Sequence, residues 1–426
     1  MKKLFLAIFS LFSIALCAQE IDTDINSAAE KIEDQVIKWR RDFHEHPELS
    51  NREFKTAEKI AAHLKSLGLE VQTEVAKTGV VAILKGNQAG KVVALRADID
   101  ALPVTERNDL PFKSMVTSEF LGTKTGVMHA CGHDTHTAIL MGVAEILSQH
   151  KDKIKGTVKF IFQPAEEGPP PGEDGGASLM IKEGVLTNPE VDAIFGLHIN
   201  SGTPVGTIRY KPEGTMAAVE RFVINVEGKQ THGSAPWSGV DPILISAKII
   251  DGLQTIISRE AKLVDAAAVI TVGKITSGVR FNIIPETAEM IGTIRTLDPE
   301  MKEMILRRMR EMVPAIASAY GGKATVEIQN NTAITYNDPE LTQQMLPTLQ
   351  AIAGKDHVEL VKATTGGEDF SFFQEKIPGF YFFLGGQALN SKEAAPHHTP
   401  DFYIDESGLV LGVKVMSQLA LNYLNQ

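Results

Sequence analysis

The chain has 426 residues, 43% hydrophobic and 22% charged, with a formal net charge of -11. That length is too great for one compact core and predicts at least two domains. The acidic balance argues against nucleic acid as a partner, because phosphate binding needs a surplus of Lys and Arg.

The chain opens Met1-Lys-Lys-Leu-Phe-Leu-Ala-Ile-Phe-Ser-Leu-Phe-Ser-Ile-Ala-Leu-Cys-Ala-Gln-Glu20. A basic start, a short apolar run and small residues before a polar switch predict a secretory signal peptide over residues 1–18. The run is short for a membrane span, so no integral span is expected in the mature chain. Export to the periplasm or the medium follows. Leu16 stands where lipid attachment at Cys17 would want a small residue. Loss of the signal leaves Cys131 as a lone thiol among the two cysteines, and metal ligation is one way to occupy it.

Residues 54–68 space their apolar groups helically and end in Gly, which predicts a helix. Apolar runs at 80–84, 92–95, 156–162 and 193–199 read as buried strands, with a helix at 135–148. Strands alternating with helices predict an α/β fold, a sheet covered by helices on both faces. From about residue 214 the pattern changes. Strands at 221–227, 268–275, 288–297 and 324–328 enclose helices at 241–260 and 299–319. This β-α-β-β-α-β order is the ferredoxin-like α+β unit. It divides the first domain into parts at 19–213 and 333–426, with the insert over 214–332. The final part holds a strand at 381–384 and a helix at 407–423.

The polar clusters fall where strands end, which is where α/β sheets place their chemistry. Arg96-Ala-Asp-Ile-Asp100 closes a buried strand. Asp98 and Asp100 share a face if the chain stays extended, and a carboxylate there can orient a ligand imidazole. Met128-His-Ala-Cys-Gly-His-Asp-Thr-His136 offers Cys131 and His133, with His129 and His136 as alternative ligands. Gln163-Pro-Ala-Glu-Glu-Gly168 supplies Glu166 and Glu167. Adjacent carboxylates can divide the labour: one binds metal, and the other, its pKa raised by burial and its neighbour, moves protons. His198 ends a strand, and His397 and His398 stand on a late loop. Each group alone reads as a solvated turn or a structural histidine. Together they amount to ligands for about two ions of the zinc, manganese, cobalt or nickel kind.

These segments resemble the zinc-dependent aminoacylase and carboxypeptidase family of metallopeptidases. The amidohydrolase branch is the nearest: hippurate hydrolases, auxin–amino-acid conjugate hydrolases and N-acyl amino acid amidohydrolases. The likeness runs from about Trp39 to the C-terminus and includes Arg40-Arg-Asp-Phe-His-Glu-His-Pro47, His232 to Pro242 and Gly366-Gly-Glu-Asp-Phe370. It implies a di-metal catalytic domain interrupted by a lid and dimerisation domain. The implied ligands are Cys131, His133, Glu167, His198 and His398, the last because it directly precedes Thr-Pro. Glu166 is implied as general base and Asp100 as the carboxylate behind the site. The family's histidine that reaches into the partner subunit corresponds to His232; Asn282 and Arg295 resemble groups that hold the substrate's carboxylate. Trp237 replaces a histidine usual in the branch, and Gly rather than Ala follows His232; both departures bear on acyl-group preference. The resemblance thus implies a homodimer with two divalent cations, zinc foremost, that share and acidify a water. The reaction expected is hydrolysis of N-acyl amino acids, the alternative an exported carboxypeptidase or dipeptidase acting on small peptides.

Overall fold

A computed structural model describes residues 21–391 and 393–426. The expected signal peptide and Cys17 lie outside the described residues. The main sheet has eight strands. Its four inner strands, Lys155–Gln163, Gln88–Asp98, Ala193–Pro204 and Gly379–Gln387, run parallel in that spatial order. Gly79–Lys85 and then Glu70–Val75 extend one edge antiparallel. Ile208–Tyr210 and Val358–Leu360 extend the other.

Strand alternation sorts the residues of this sheet into two layers. Phe195, Leu197, Ile199, Phe380, Phe382 and Leu384 face the larger core, beneath the long helices His133–Gln149 and Leu409–Leu424. Ile161, Ile194 and Tyr381 face a smaller core under the short helices Gly176–Lys182 and Ser371–Gln374. The same parity puts Arg96, Asp98, Gln163 and His198 on the smaller-core side, the first three at or near the C-terminal ends of their strands and His198 midway along Ala193–Pro204. The site is therefore a product of sheet register.

A second sheet of four antiparallel strands has the spatial order Ala268–Ser277, Thr287–Thr296, Ala218–Glu227, Lys323–Thr332. With Pro242–Thr255 and Pro299–Ala319 it follows the expected β-α-β-β-α-β order. Asp241 and Asp298 cap these helices by accepting backbone N–H bonds, and a proline follows each cap, an arrangement suited to a helix start. Phe222, Ile224, Ile249, Met290, Ile305 and Met309 fill the core between sheet and helices. The first helix ends its α-helical path at Thr255 and continues as a π turn over Ile256–Glu260. The two connections to the rest of the chain run side by side, Glu213–Met216 antiparallel to Thr335–Asn337.

Gly132 connects this framework to the site. It precedes the helix His133–Gln149 with φ 95°, and a Cβ added there would lie 2.3 Å from Ile199 Cγ2. Both the left-handed backbone and the close approach require glycine. Gly132→Ala is expected to destabilise the protein by about 1–3 kcal/mol, read from urea unfolding, and to displace His133.

Candidate active site

Loops near the C-terminal ends of the inner strands bring the candidate ligands together, except that His198, expected to end its strand, lies within Ala193–Pro204, which runs on six residues beyond it. Asp100, just beyond the strand Gln88–Asp98, is buried; its Oδ1 lies 3.1 Å from His133 Nδ1. Its Oδ2 accepts bonds from Ser50 Oγ at 2.7 Å and from the Glu167 N–H at 3.1 Å. One carboxylate thus orients an imidazole and the loop carrying the neighbouring glutamates. His133 Nε2 is left 3.8 Å from Glu166 Oε2 and 4.0 Å from Glu167 Oε1. His133 Nε2 is buried without a hydrogen bond.

Cys131 Sγ lies 3.4 Å from His198 Nε2 and 3.2 Å from His398 Nε2. His398 Nε2 is also 3.1 Å from Glu167 Oε1. His198 donates from Nδ1 to the Ile199 carbonyl at 2.6 Å, so its Nε2 is the nitrogen turned to the thiol. The donor atoms of Cys131, His133 and Glu167 lie within 4.8 Å of one another. The five residues expected as ligands therefore converge, with Glu166 beside them.

His136 takes a different part from the one open to it in the sequence. Its Nδ1 lies 2.5 Å from Asp98 Oδ1, and its Nε2 accepts the Ile199 N–H at 2.8 Å. Both nitrogens are committed, which makes it a positioning residue. His397 remains closer to the donors: its Nε2 accepts the Ser201 N–H at 3.2 Å, and it groups with Cys131 and His198 within 4.8 Å.

Sequence reasoning assigned no role to the charge network below the site. Buried Arg96 donates to Asp98 at 2.6 Å, Glu368 at 3.0 Å and Asp369 at 2.9 Å. Tyr381 Oη donates to Glu368 at 2.6 Å, and Gln163 donates to Asp369 at 2.7 Å. Two signals pointed to it: an arginine two residues before Asp98 on one strand face, and the Gly-Gly-Glu-Asp-Phe motif.

Burial, reinforced by Glu368 and Glu167, lifts the Glu166 carboxyl well above its ordinary range. Burial, with Glu167 and Glu166, does the same to the Cys131 thiol. At His133 burial opposes the charged ring, but Asp98 and then Asp100 outweigh it and hold its pKa at about 10. Burial and neighbouring imidazoles keep His198 neutral. With no cation bound, the protons are thus retained where the ligand lone pairs would otherwise be.

A cavity of about 690 Å³ opens above these groups, lined by Cys131, Glu166, Glu167, His198 and His398 and, from the second sheet, by Arg295. His232 does not line it. That ring is exposed, and its Nδ1 accepts the Ser234 N–H at 3.0 Å. Asn282 lies outside it too, with its Oδ1 buried and unbonded. A single chain therefore does not bring His232 and Asn282 to the other site residues.

Arg96→Met would leave three buried carboxylates without their shared cation. Breaking a buried ion pair from one side costs about 3–5 kcal/mol. A loss of that size is expected in urea unfolding, whereas a change below about 1 kcal/mol would assign the network no structural weight.

A family model described as peptidase family M20/M25/M40 matches residues 94–422. "Thermostable carboxypeptidase 2" of Saccharolobus solfataricus is 42% identical over 94% of this chain and 98% of its own. "N-acetylcysteine deacetylase" of Bacillus subtilis is 40% identical over 91% of this chain and 96% of its own. The crystal structure of a Bacillus subtilis protein described as a dinuclear metal-binding peptidase superposes with a TM-score of 0.78. It is 38% identical and covers 93% of this chain and 99% of its own. With its converging thiol, imidazole and carboxylate groups, this chain belongs to peptidase family M20/M25/M40.

Proposed function

We propose that the chain is a two-cation amidohydrolase that cleaves N-acyl amino acids to a carboxylic acid and a free amino acid. The observation that carries this reading is the placement of Glu166 beside buried, unbonded His133 Nε2 and the converging Cys131, Glu167 and His398, under a cavity that Arg295 also lines. A ring nitrogen left without a partner in a buried thiol, imidazole and carboxylate cluster fits a cation site. The thiol, imidazole and carboxylate mixture suits zinc foremost, and also manganese, cobalt or nickel. Cys131, His133, Glu167, His198 and His398 would hold the ions. When bound, two such ions acidify water and polarise an amide carbonyl.

The remaining steps belong to the chain. Glu166 takes a proton from the attacking water and returns it to the departing amine nitrogen. Asp100 keeps His133 in one tautomer, and Arg295 offers a planar fork of donors to the substrate's free carboxylate. His232 completes the oxyanion's surroundings from a partner subunit, and Asn282 assists carboxylate binding there. A homodimer is supported by exposed apolar groups close to both in sequence, Phe281 at 96% and Trp237 at 82% exposure. Export is supported by the N-terminal sequence, and no helix among the described residues is long and apolar enough to cross a membrane.

A peptidase reading keeps weight because the Saccharolobus relative is named a carboxypeptidase. N-acetyl, N-benzoyl and dipeptide substrates assayed side by side separate the two. The amidohydrolase reading predicts the higher kcat/KM on the N-acyl amino acids; a clear preference for dipeptides overturns it. Glu166→Gln is expected to keep its metal and lose about 10²–10⁴-fold in kcat. Because His133, Cys131 and Glu166 hold protons in the cation-free site, metal binding near pH 7.5 should release about two to three protons per chain. Calorimetry in buffers of different ionisation enthalpy reads that number, and His133→Asn should lower it.

A further inference from the structure

The register of the main sheet sets a row of side chains leading away from the candidate metal ligands. His198 lies opposite Phe383, Phe383 opposite Arg209, and Arg209 opposite Glu359. Opposed residues share a face of the sheet, and neighbouring strands are about 4.8 Å apart. Arg209 therefore stands two strands from His198, about 10 Å along one face. His198, Phe383 and Arg209 all line the cavity.

Arg209 is held in place but not fully used. Its Nε donates to Glu359 at 2.8 Å and its Nη1 to Thr203 Oγ1 at 2.9 Å. Among the described residues Nη2 makes no hydrogen bond, so donors of a rigid fork remain available. Lys362 lines the same cavity and has no acidic partner among the described residues. With Arg295, the cavity thus carries three cations besides the carboxylate cluster. An N-acyl derivative of a neutral amino acid has one carboxylate, which Arg295 alone can pair. The two further cations, separated from His198 by the apolar ring of Phe383, have no use in binding such a substrate.

We propose that Arg209, assisted by Lys362, forms a subsite for a second carboxylate on the substrate. The ligand chemistry is a dicarboxylate: an N-acyl acidic amino acid, or an amino acid acylated by a dicarboxylic acid. The inference rests on the N-acyl amino acid reading and adds specificity to it. Phe383 packs the methylenes between the scissile amide and the distal carboxylate. Glu359 holds the guanidinium in place at the cost of part of its charge.

The test compares kcat/KM of the metal-loaded enzyme on two matched pairs: N-acetylglutamate against N-acetylglutamine, and N-succinylalanine against its succinamoyl analogue. At least about a tenfold preference for the acid is expected in one pair. The pair that shows it tells whether the second carboxylate belongs to the amino acid or to the acyl group. Arg209→Gln should cut the preference to below about threefold, and Glu359→Gln should raise it. Equal rates within both pairs, or a preference that survives Arg209→Gln, overturn the proposal. Calorimetric binding of glutarate against its monoamide to chelator-treated protein provides a second readout, and Arg209→Gln should abolish the difference. If no N-acyl amino acid is hydrolysed, the reaction reading fails, while glutarate binding still decides the subsite.

Discussion

Six carboxylates, those of Asp98, Asp100, Glu166, Glu167, Glu368 and Asp369, crowd the ends of the parallel strands, and among the described residues Arg96 is the one guanidinium buried among them. Such a cluster cannot stay fully ionised in a medium of low dielectric without compensation. Arg96 satisfies the deepest part, pairing with Asp98, Glu368 and Asp369. In the upper part, His133 carries a proton between Asp98 and Asp100, and Glu166 and Cys131 retain theirs. Divalent cations can replace those protons with the same or greater positive charge. Protons balance the arrangement when it is empty, and in the proposed loaded state metal would take their place.

Sheet parity is what turns this charge balance into a directional site. Alternation sends one set of residues into the larger apolar core and the other toward the cluster, so Arg96, Gln163 and His198 need no special loop to face inward. The loops add only what strands cannot: Cys131 and His133 on either side of a left-handed glycine, and the Glu166–Glu167 pair placed by Asp100. The same parity carries the row outward through Phe383 to Arg209. A single register thus relates the ligands, an apolar spacer and a distal cation.

Much of this was legible in the amino-acid sequence because the inner strands are long, β-branched or aromatic and buried on both faces, and because ligand types cluster at their ends. The inserted sheet was legible from its alternating strands and the order in which helices interrupt them. What escaped had no such pattern. The hairpin Thr117–Phe120 with Thr123–Gly126 has a fully exposed first strand, so no apolar period marks it. The edge strands Ile208–Tyr210 and Val358–Leu360 are three residues each. Arg96 and Glu368 are 272 residues apart, and nothing local in either segment names the other. His136 looked like a ligand because only the fold supplies the Asp98 carboxylate and the Ile199 N–H that occupy it.

In the proposed reaction two cations complete the buried cluster. Elemental analysis of the protein purified without chelator, with melting temperature followed through dialysis against one, addresses it directly. About two divalent ions per chain, removed together with catalytic activity and with several degrees of thermal stability, is the predicted result. A protein that hydrolyses N-acyl amino acids at full rate with less than stoichiometric metal, and melts at the same temperature before and after dialysis, would contradict it.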